Sequence, residues 1–193
     1  MPEAILTQER ILEAAEEVLR RFGPAKTTVV DVARALGVTH GSVYRHFPSK
    51  AALRDAVAAR WLERVSAPLD AIVAEEGPPA ARLRRWLDTL IAIKRSRAFD
   101  DPEMFATYLA LASDAGEIIT AHVAHLAAQA GKIIADGVAQ GAFHVASPAA
   151  AGRAVVIATN RFHNPAHAAE WRDPAIDTEL EEVWSLLLAG LKA

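Results

Sequence analysis

Thr28-Val29-Val30-Asp31-Val32-Ala33-Arg34-Ala35-Leu36-Gly37-Val38-Thr39-His40-Gly41-Ser42-Val43-Tyr44-Arg45-His46-Phe47 reads as helix, tight turn, helix. Thr28 and Asp31 have the three-residue spacing of a capped helix start, in which a hydroxyl oxygen accepts an otherwise orphaned amide. Val29, Val32, Ala33 and Leu36 then fall on one helical face. Gly37 suits the left-handed position that stops a helix, and Val38 is predicted to be buried in the turn. Thr39 is the expected N-cap of a second helix of about nine residues. It runs to Phe47, because Pro48 cannot continue it. Such a helix is roughly 13 Å long at 1.5 Å per residue and fits a major groove about 12 Å wide. Its predicted inward residues are Val43 and Phe47. His40, Gly41, Ser42, Tyr44, Arg45 and His46 are predicted to face outward, a row of donors that an interior helix would not carry.

Outward from this stretch the pattern stays helical. A first helix is predicted over Thr7 to Phe22, with Ile11, Ala15, Val18, Leu19 and Phe22 inward, ended by Gly23-Pro24. Ser49 caps a fourth helix from Lys50 to about Val65, with a continuation beyond Pro68 left open and a kink or break expected at that proline. Further helices are predicted over Ala80 to Arg97, from Pro102 to Ser113, over Ile118 to Gln140, from Pro148 to about Phe162, and over Asp177 to Leu191. Asn164 to Pro174 is predicted to be irregular. Period-2 alternation is absent, so the fold class is all-α: a three-helix head over residues 1–48 and a larger helical domain over residues 49–193.

Composition narrows the function. The 193 residues include no cysteine, which removes disulfide scaffolds, thiolate zinc sites and cysteine nucleophiles together. There is no leader-like segment, and no apolar run approaches a membrane span of about 18 residues, so a cytoplasmic protein with no membrane partner is expected. Net charge is −3, but residues 26–60 carry six basic and two acidic side chains. A basic segment ahead of an acidic body suits a polyanion at one end. No phosphate loop, nucleophile elbow or HExxH pattern occurs, so no enzyme and no cofactor is expected. His122 and His125, with His163 and His167 further on, lack a recognised ligand pattern, and no metal is expected.

The run from Thr27 to Leu53, with Ile11-Leu12-Glu13-Ala14-Ala15 and Phe22-Gly23 before it, resembles the DNA-binding segment of TetR-family transcriptional regulators. The resemblance covers residues 7–55. It implies a homodimer, most often a repressor, that binds a pseudopalindromic operator through two heads and releases it when a small-molecule effector binds the C-terminal domain. Chemistry assigns the contacts. His40 and Arg45 suit base edges, arginine pairing bidentately with guanine. Gly41 allows close approach, Ser42 donates, and Tyr44 offers a ring to a thymine methyl. Thr28, Thr39, His46 and Lys50 sit at helix ends where phosphates are expected.

The C-terminal helices suggest two further surfaces. Leu180, Val183, Trp184, Leu187, Leu188 and Leu191 form a stripe that, with Val155 and Val156, is expected to make a two-fold dimer interface. Trp61, Trp86, Met104, Phe105, Tyr108, His122, His125, Arg161 and Phe162 are the expected lining of an apolar effector pocket, with Arg161 placed to hold an acidic or aromatic effector. The effector's identity is not written in the sequence. A DNA-binding or interaction protein without any effector is the alternative reading.

Overall fold

The computed structural model describes residues 5–193, and all regular structure among them is helical. The helices are α1 (Gln8–Lys26), α2 (Val29–Leu36), α3 (His40–Tyr44), α4 (Lys50–Ala74), α5 (Pro79–Asp100), α6 (Pro102–Asp114), α7 (Gly116–Ala139), α8 (Pro148–Ala158), α9 (Asn160–His163) and α10 (Ile176–Lys192), with a 3-10 helix over Pro165–Arg172. They gather into two compact units. One holds the residues up to Leu62 together with Pro102–Ile118; the other holds Glu63–Asp101 and Ile119–Ala193. The sequence placed a boundary after residue 48, whereas the first unit also takes in the start of α4 and all of α6.

In the first unit, Ile11, Ala14, Ala15, Val18 and Leu19 of α1 are buried, as are Val29, Val32 and Ala33 of α2 and Val43 of α3. Phe22, predicted inward, is instead exposed, with the Arg21 guanidinium 5.2 Å from its ring centre. Gly23 breaks the helical path with φ 72°, as its glycine-proline signal predicts, although one short turn follows before Thr27. Arg60 of α4 ties this unit together, reaching the Glu9 carboxylate at 2.7 Å and those of Glu13 and Glu16 at 3.6 and 3.7 Å.

The second unit is built on a core that includes Leu83, Trp86, Leu87 and Leu90 of α5 and Ala130, Ile133 and Ile134 of α7. By length and composition α7 is apolar enough to cross a membrane; its buried residues here belong to this core. The helices α7 and α8 cross closely. A Cβ on Gly152 would lie 2.4 Å from the Ala127 carbonyl oxygen and 2.5 Å from the Gly131 nitrogen, so the crossing admits only hydrogen there.

Helix continuity is settled at three places. The helix α4 runs unbroken through Pro68. A proline lacks the N–H that would bond the carbonyl four residues back, and that carbonyl, of Arg64, accepts instead from the Arg97 guanidinium at 3.3 Å. The helix expected to reach Phe162 stops at Ala158, because the Thr159 hydroxyl donates to the Val155 carbonyl at 2.8 Å as the backbone turns (φ −94°, ψ 5°). The stretch expected to be irregular holds the 3-10 helix, opened by Pro165 and by an Asn164 side chain that accepts the Ala166 amide.

Candidate functional site

The helix-turn-helix is assembled from local bonds. The Thr28 side chain accepts the Asp31 amide at 3.2 Å, and the Asp31 carboxylate accepts the Thr28 amide at 3.1 Å and its hydroxyl at 2.6 Å. These bonds hold the Asp31 carboxyl below the ordinary carboxylate range. Thr28 is therefore a cap whose hydroxyl proton is already committed, which leaves it little to offer a phosphate. Gly37 takes φ 68°, its amide and that of Val38 donating to the Arg34 and Ala33 carbonyls. Only a residue at ease in the left-handed region makes this tight a turn. Val38 is half-buried rather than buried.

Next, α3 has five residues rather than the nine expected. Both His46 and Phe47 donate to the single Val43 carbonyl at 3.0 Å, so the last turn tightens as Pro48 approaches. The facing of its side chains is nonetheless the predicted one. Val43 and Phe47 are buried, His40, Gly41, Tyr44 and Arg45 are exposed, and Ser42 and His46 are half-buried. Tyr44 is 42% exposed, and the His40 and Tyr44 rings meet edge to face at 6.3 Å. Thr39 caps the helix by accepting the Ser42 amide at 3.2 Å. Its hydroxyl lies 3.0 Å from that of Ser42, which in turn accepts from Arg45 at 3.2 Å. This chain pre-orients Arg45 along the outer face. Ser49 caps α4 by accepting the Ala52 amide at 3.0 Å, leaving Lys50 exposed at the helix start. The surface so formed combines a rigid aromatic, two imidazoles, a guanidinium and an ammonium over a short apolar anchor, the chemistry of base-edge and phosphate contact.

The nine residues expected to line a pocket are divided between the units. In the first, Trp61 stacks on Tyr108 at 4.7 Å and 18°, and Met104 and Phe105 are buried. In the second, Trp86 and Phe162 are core residues, and the Trp86 indole donates to Gln129 at 3.2 Å. Gln129 donates to the Ser66 carbonyl at 3.3 Å and to the Asp70 carboxylate at 2.6 Å, and His125, on the exposed side, lies 3.5 Å from the same carboxylate. Arg161, expected in the pocket, is engaged by two carboxylates. Its guanidinium bonds Glu170 at 2.7 Å and Glu179 at 2.5 Å on the surface, and those bonds raise its pKa further.

Among the described residues two cations of α5 lie inside this unit, and sequence reasoning missed both: Arg82, 2% exposed, donates to the Val73 carbonyl at 2.8 Å and to the Asp136 carboxylate at 3.0 Å, and Lys94 reads in the sequence as one more surface lysine. It is 4% exposed, and burial, aided by the nearby Arg97 charge, pushes its pKa down to about 8. Two histidines share this interior. His122 is 9% exposed; burial, then Lys94, lowers its pKa to about 3. His163 is 5% exposed; burial, then Lys94, lowers its pKa to about 4. Among the described residues no three His, Cys, Asp or Glu side chains gather as a metal set.

The stripe expected to form the dimer interface packs in large part within the subunit. Val155, Val156, Leu180, Trp184 and Leu191 are buried in the subunit's own core, and Val183, Leu187 and Leu188 are half-buried against it. The large apolar side chains left in water on these helices are Ile157 of α8, 73% exposed, and Leu186 of α10, 77% exposed.

Comparison with known proteins converges on one family. Residues 11–57 match the model of bacterial regulatory proteins of the tetR family, and residues 79–184 match the tetracyclin repressor-like C-terminal domain. A helix-turn-helix-type transcriptional regulator of Mycobacterium tuberculosis is 31% identical over 103 residues, covering 53% of this chain and 49% of that one. The probable acrEF/envCD operon repressor of Escherichia coli K12 is 36% identical over 64 residues, 33% of this chain and 28% of that one. The chain thus spans about half or less of the length of these relatives. A TetR transcription regulator from Haloarcula marismortui has the same fold, with TM-score 0.70 at 20% identity over 95% of each chain.

Proposed function

Since the chain belongs to the TetR family of transcriptional regulators, we propose that it is a homodimeric, effector-responsive repressor acting on DNA in the cytoplasm. The observation that carries this reading is the outer face of α3. Val43 and Phe47 anchor it, while His40, Ser42, Tyr44 and Arg45 stand outward around a glycine that keeps the backbone approachable. Arg45 and His40 read base edges, Lys50 and His46 grip phosphates, and Thr39 acts through Ser42 to position Arg45. Two such heads need a two-fold axis to match an operator whose half-sites lie about 34–36 Å apart. Ile157 and Leu186 supply apolar surface for it on α8 and α10. A small molecule bound in the second unit releases DNA by favouring a conformer whose heads no longer match that spacing, to the extent that it binds the two conformers unequally. The Escherichia coli relative named as an operon repressor supports repression rather than activation.

The test is a gel-shift titration against duplexes selected from a random pool. Arg45→Ala is expected to cost about 1–3 kcal/mol of specific binding and to relax the base preference at one position. Lys50→Ala is expected to weaken all duplexes alike and to reduce the salt slope by about one. If both variants titrate like the wild type, α3 is not the reading element.

A further inference from the structure

We infer that the groove between α7 and α8 is a seat for the α10 helix of a second copy of this chain. The inference deepens the homodimer proposed above and rests on it, naming the surface by which the two copies hold each other. The seat follows from the way the two helices cross. Only hydrogen fits at Gly152, so α8 lies tight against α7, and the small residues beside the crossing leave a hollow of about 620 Å³. Ala124, Ala128 and Ala135 of α7 and Ala149 of α8 line it, all of them exposed, together with Lys132 of α7 and Arg153 of α8. The α8 side of the groove runs on in one line: Ala149, Arg153 and Ile157 are spaced four apart, about one turn each, and Ile157 stands 73% exposed.

What the groove lacks sets its occupant. Its apolar lining is methyl groups with no bulk, and among the described residues neither Lys132 nor Arg153 makes an ion pair. It fits a helix that brings one large apolar side chain and one acid on the same face. The outward face of α10 is of that kind. Leu186 is 77% exposed. Glu182 stands one turn before it, exposed and without an ion pair among the described residues, whereas its neighbour Glu181 is held by Arg84. Ser185, Ala189 and Gly190 around Leu186 are small and exposed, so the backbone of α10 can come close. The opposite face of α10 is spent on the core of its own subunit through Leu180, Trp184 and Leu191, and Leu186, standing in water, does not fill the groove of that subunit. A two-fold axis satisfies both surfaces. The partner subunit's Leu186 enters this groove while Leu186 enters the partner's groove, and the Glu182 carboxylate meets the Arg153 guanidinium at two symmetric places.

The experiment is sedimentation of the full chain over a concentration series, with circular dichroism on the same samples. Ala128→Trp fills the groove from an exposed position. It is expected to raise the dimer dissociation constant about a hundredfold at unchanged helix content, roughly tenfold for each of two symmetric contacts. Arg153→Glu and Glu182→Arg are each expected to weaken the dimer about tenfold or more, and the two together to dimerise more tightly than either alone. Should Ala128→Trp lose helix content, the reversed charge pair carries the test. The inference is overturned if Ala128→Trp dimerises as the wild type does, which leaves the groove open to an occupant other than a second copy. It is equally overturned if the reversed pair is no tighter than its single variants. A wild type that stays monomeric at every concentration removes the homodimer reading and this inference with it, whereas a wild-type dimer indifferent to all three substitutions removes this inference alone.

Discussion

Lowering the pH from 7 to 5 is expected to weaken the fold through two particular side chains. His122 and His163 are buried, and their pKa values fall from the ordinary 6.5 to about 3 and about 4, burial being the larger cause in each and Lys94 the next. A depressed histidine contributes stability that is present above pH 6.5 and is lost as the pH falls toward the folded value, because the unfolded imidazole takes a proton that the native one refuses. At pH 5 the unfolded ring is almost fully protonated and the native ring is not. Each histidine then favours unfolding by about 1.4 kcal/mol for each of the 1.5 pH units below 6.5, or about 2 kcal/mol. Together they remove about 4 kcal/mol, a large fraction of the ~5–15 kcal/mol typical of a folded protein. Urea unfolding at pH 7 and pH 5, at one protein concentration, measures the difference. His122→Gln and His163→Gln should each remove about half of it, and the double variant nearly all. A wild type equally stable at the two pH values, or a double variant that keeps the full acid sensitivity, would show that these rings are not held neutral in the core.

Three further outcomes follow from local geometry. Gly152→Ala places a methyl within 2.4 Å of the Ala127 carbonyl and 2.5 Å of the Gly131 nitrogen, both backbone; it should cost about 1–3 kcal/mol and lower Tm by about 2–4 °C per kcal/mol, read by thermal melting. Thr28→Ala removes the hydroxyl half of the α2 capping box and leaves the Asp31 carboxylate accepting the backbone amide; it should cost about 1 kcal/mol, with hydrogen exchange rising first at the Val29–Asp31 amides. Ile157→Asp with Leu186→Asp leaves the subunit core untouched, since both side chains stand in water; sedimentation should show the dimer shifted to monomer at unchanged helix content, and an unchanged dimer would remove these two residues from the interface.

What could be read from the chain divides along the range of the interactions. The capping box at Thr28, the Gly37 stop, the Thr39 and Ser49 caps and the prolines that open α5, α6 and α8 all act within about one turn, so their residues announce them directly. Where the outcome depended on a distant partner, the local rule failed. Pro68 invites a kink or break in α4, and the helix runs on past it while Arg97, far along the chain, takes the carbonyl that proline strands. The shortening of α3 is intermediate: Pro48 was visible, but the sharing of one Val43 carbonyl by two amides is a detail of the tightened turn.

The same distinction governs the functional surfaces. The outer face of α3 was legible because a short helix with two apolar anchors has only one way to turn its polar side chains. The apolar stripe of α10 is less decisive for the opposite reason. A period of 3.6 says that a face is buried without saying against what, and the core of the second unit had first claim on Val155, Val156, Leu180, Trp184 and Leu191. What that core leaves in water on α8 and α10 is Ile157 and Leu186, which no periodicity marks. Charge misleads in the same way. Arg161 sits among aromatic residues in sequence and finds Glu170 and Glu179 at the surface, while Arg82 and Lys94, the latter flanked by Ile93 and Arg95 in an ordinary amphipathic helix, are enclosed. A lysine is tolerated in such a place only where something offsets its desolvation.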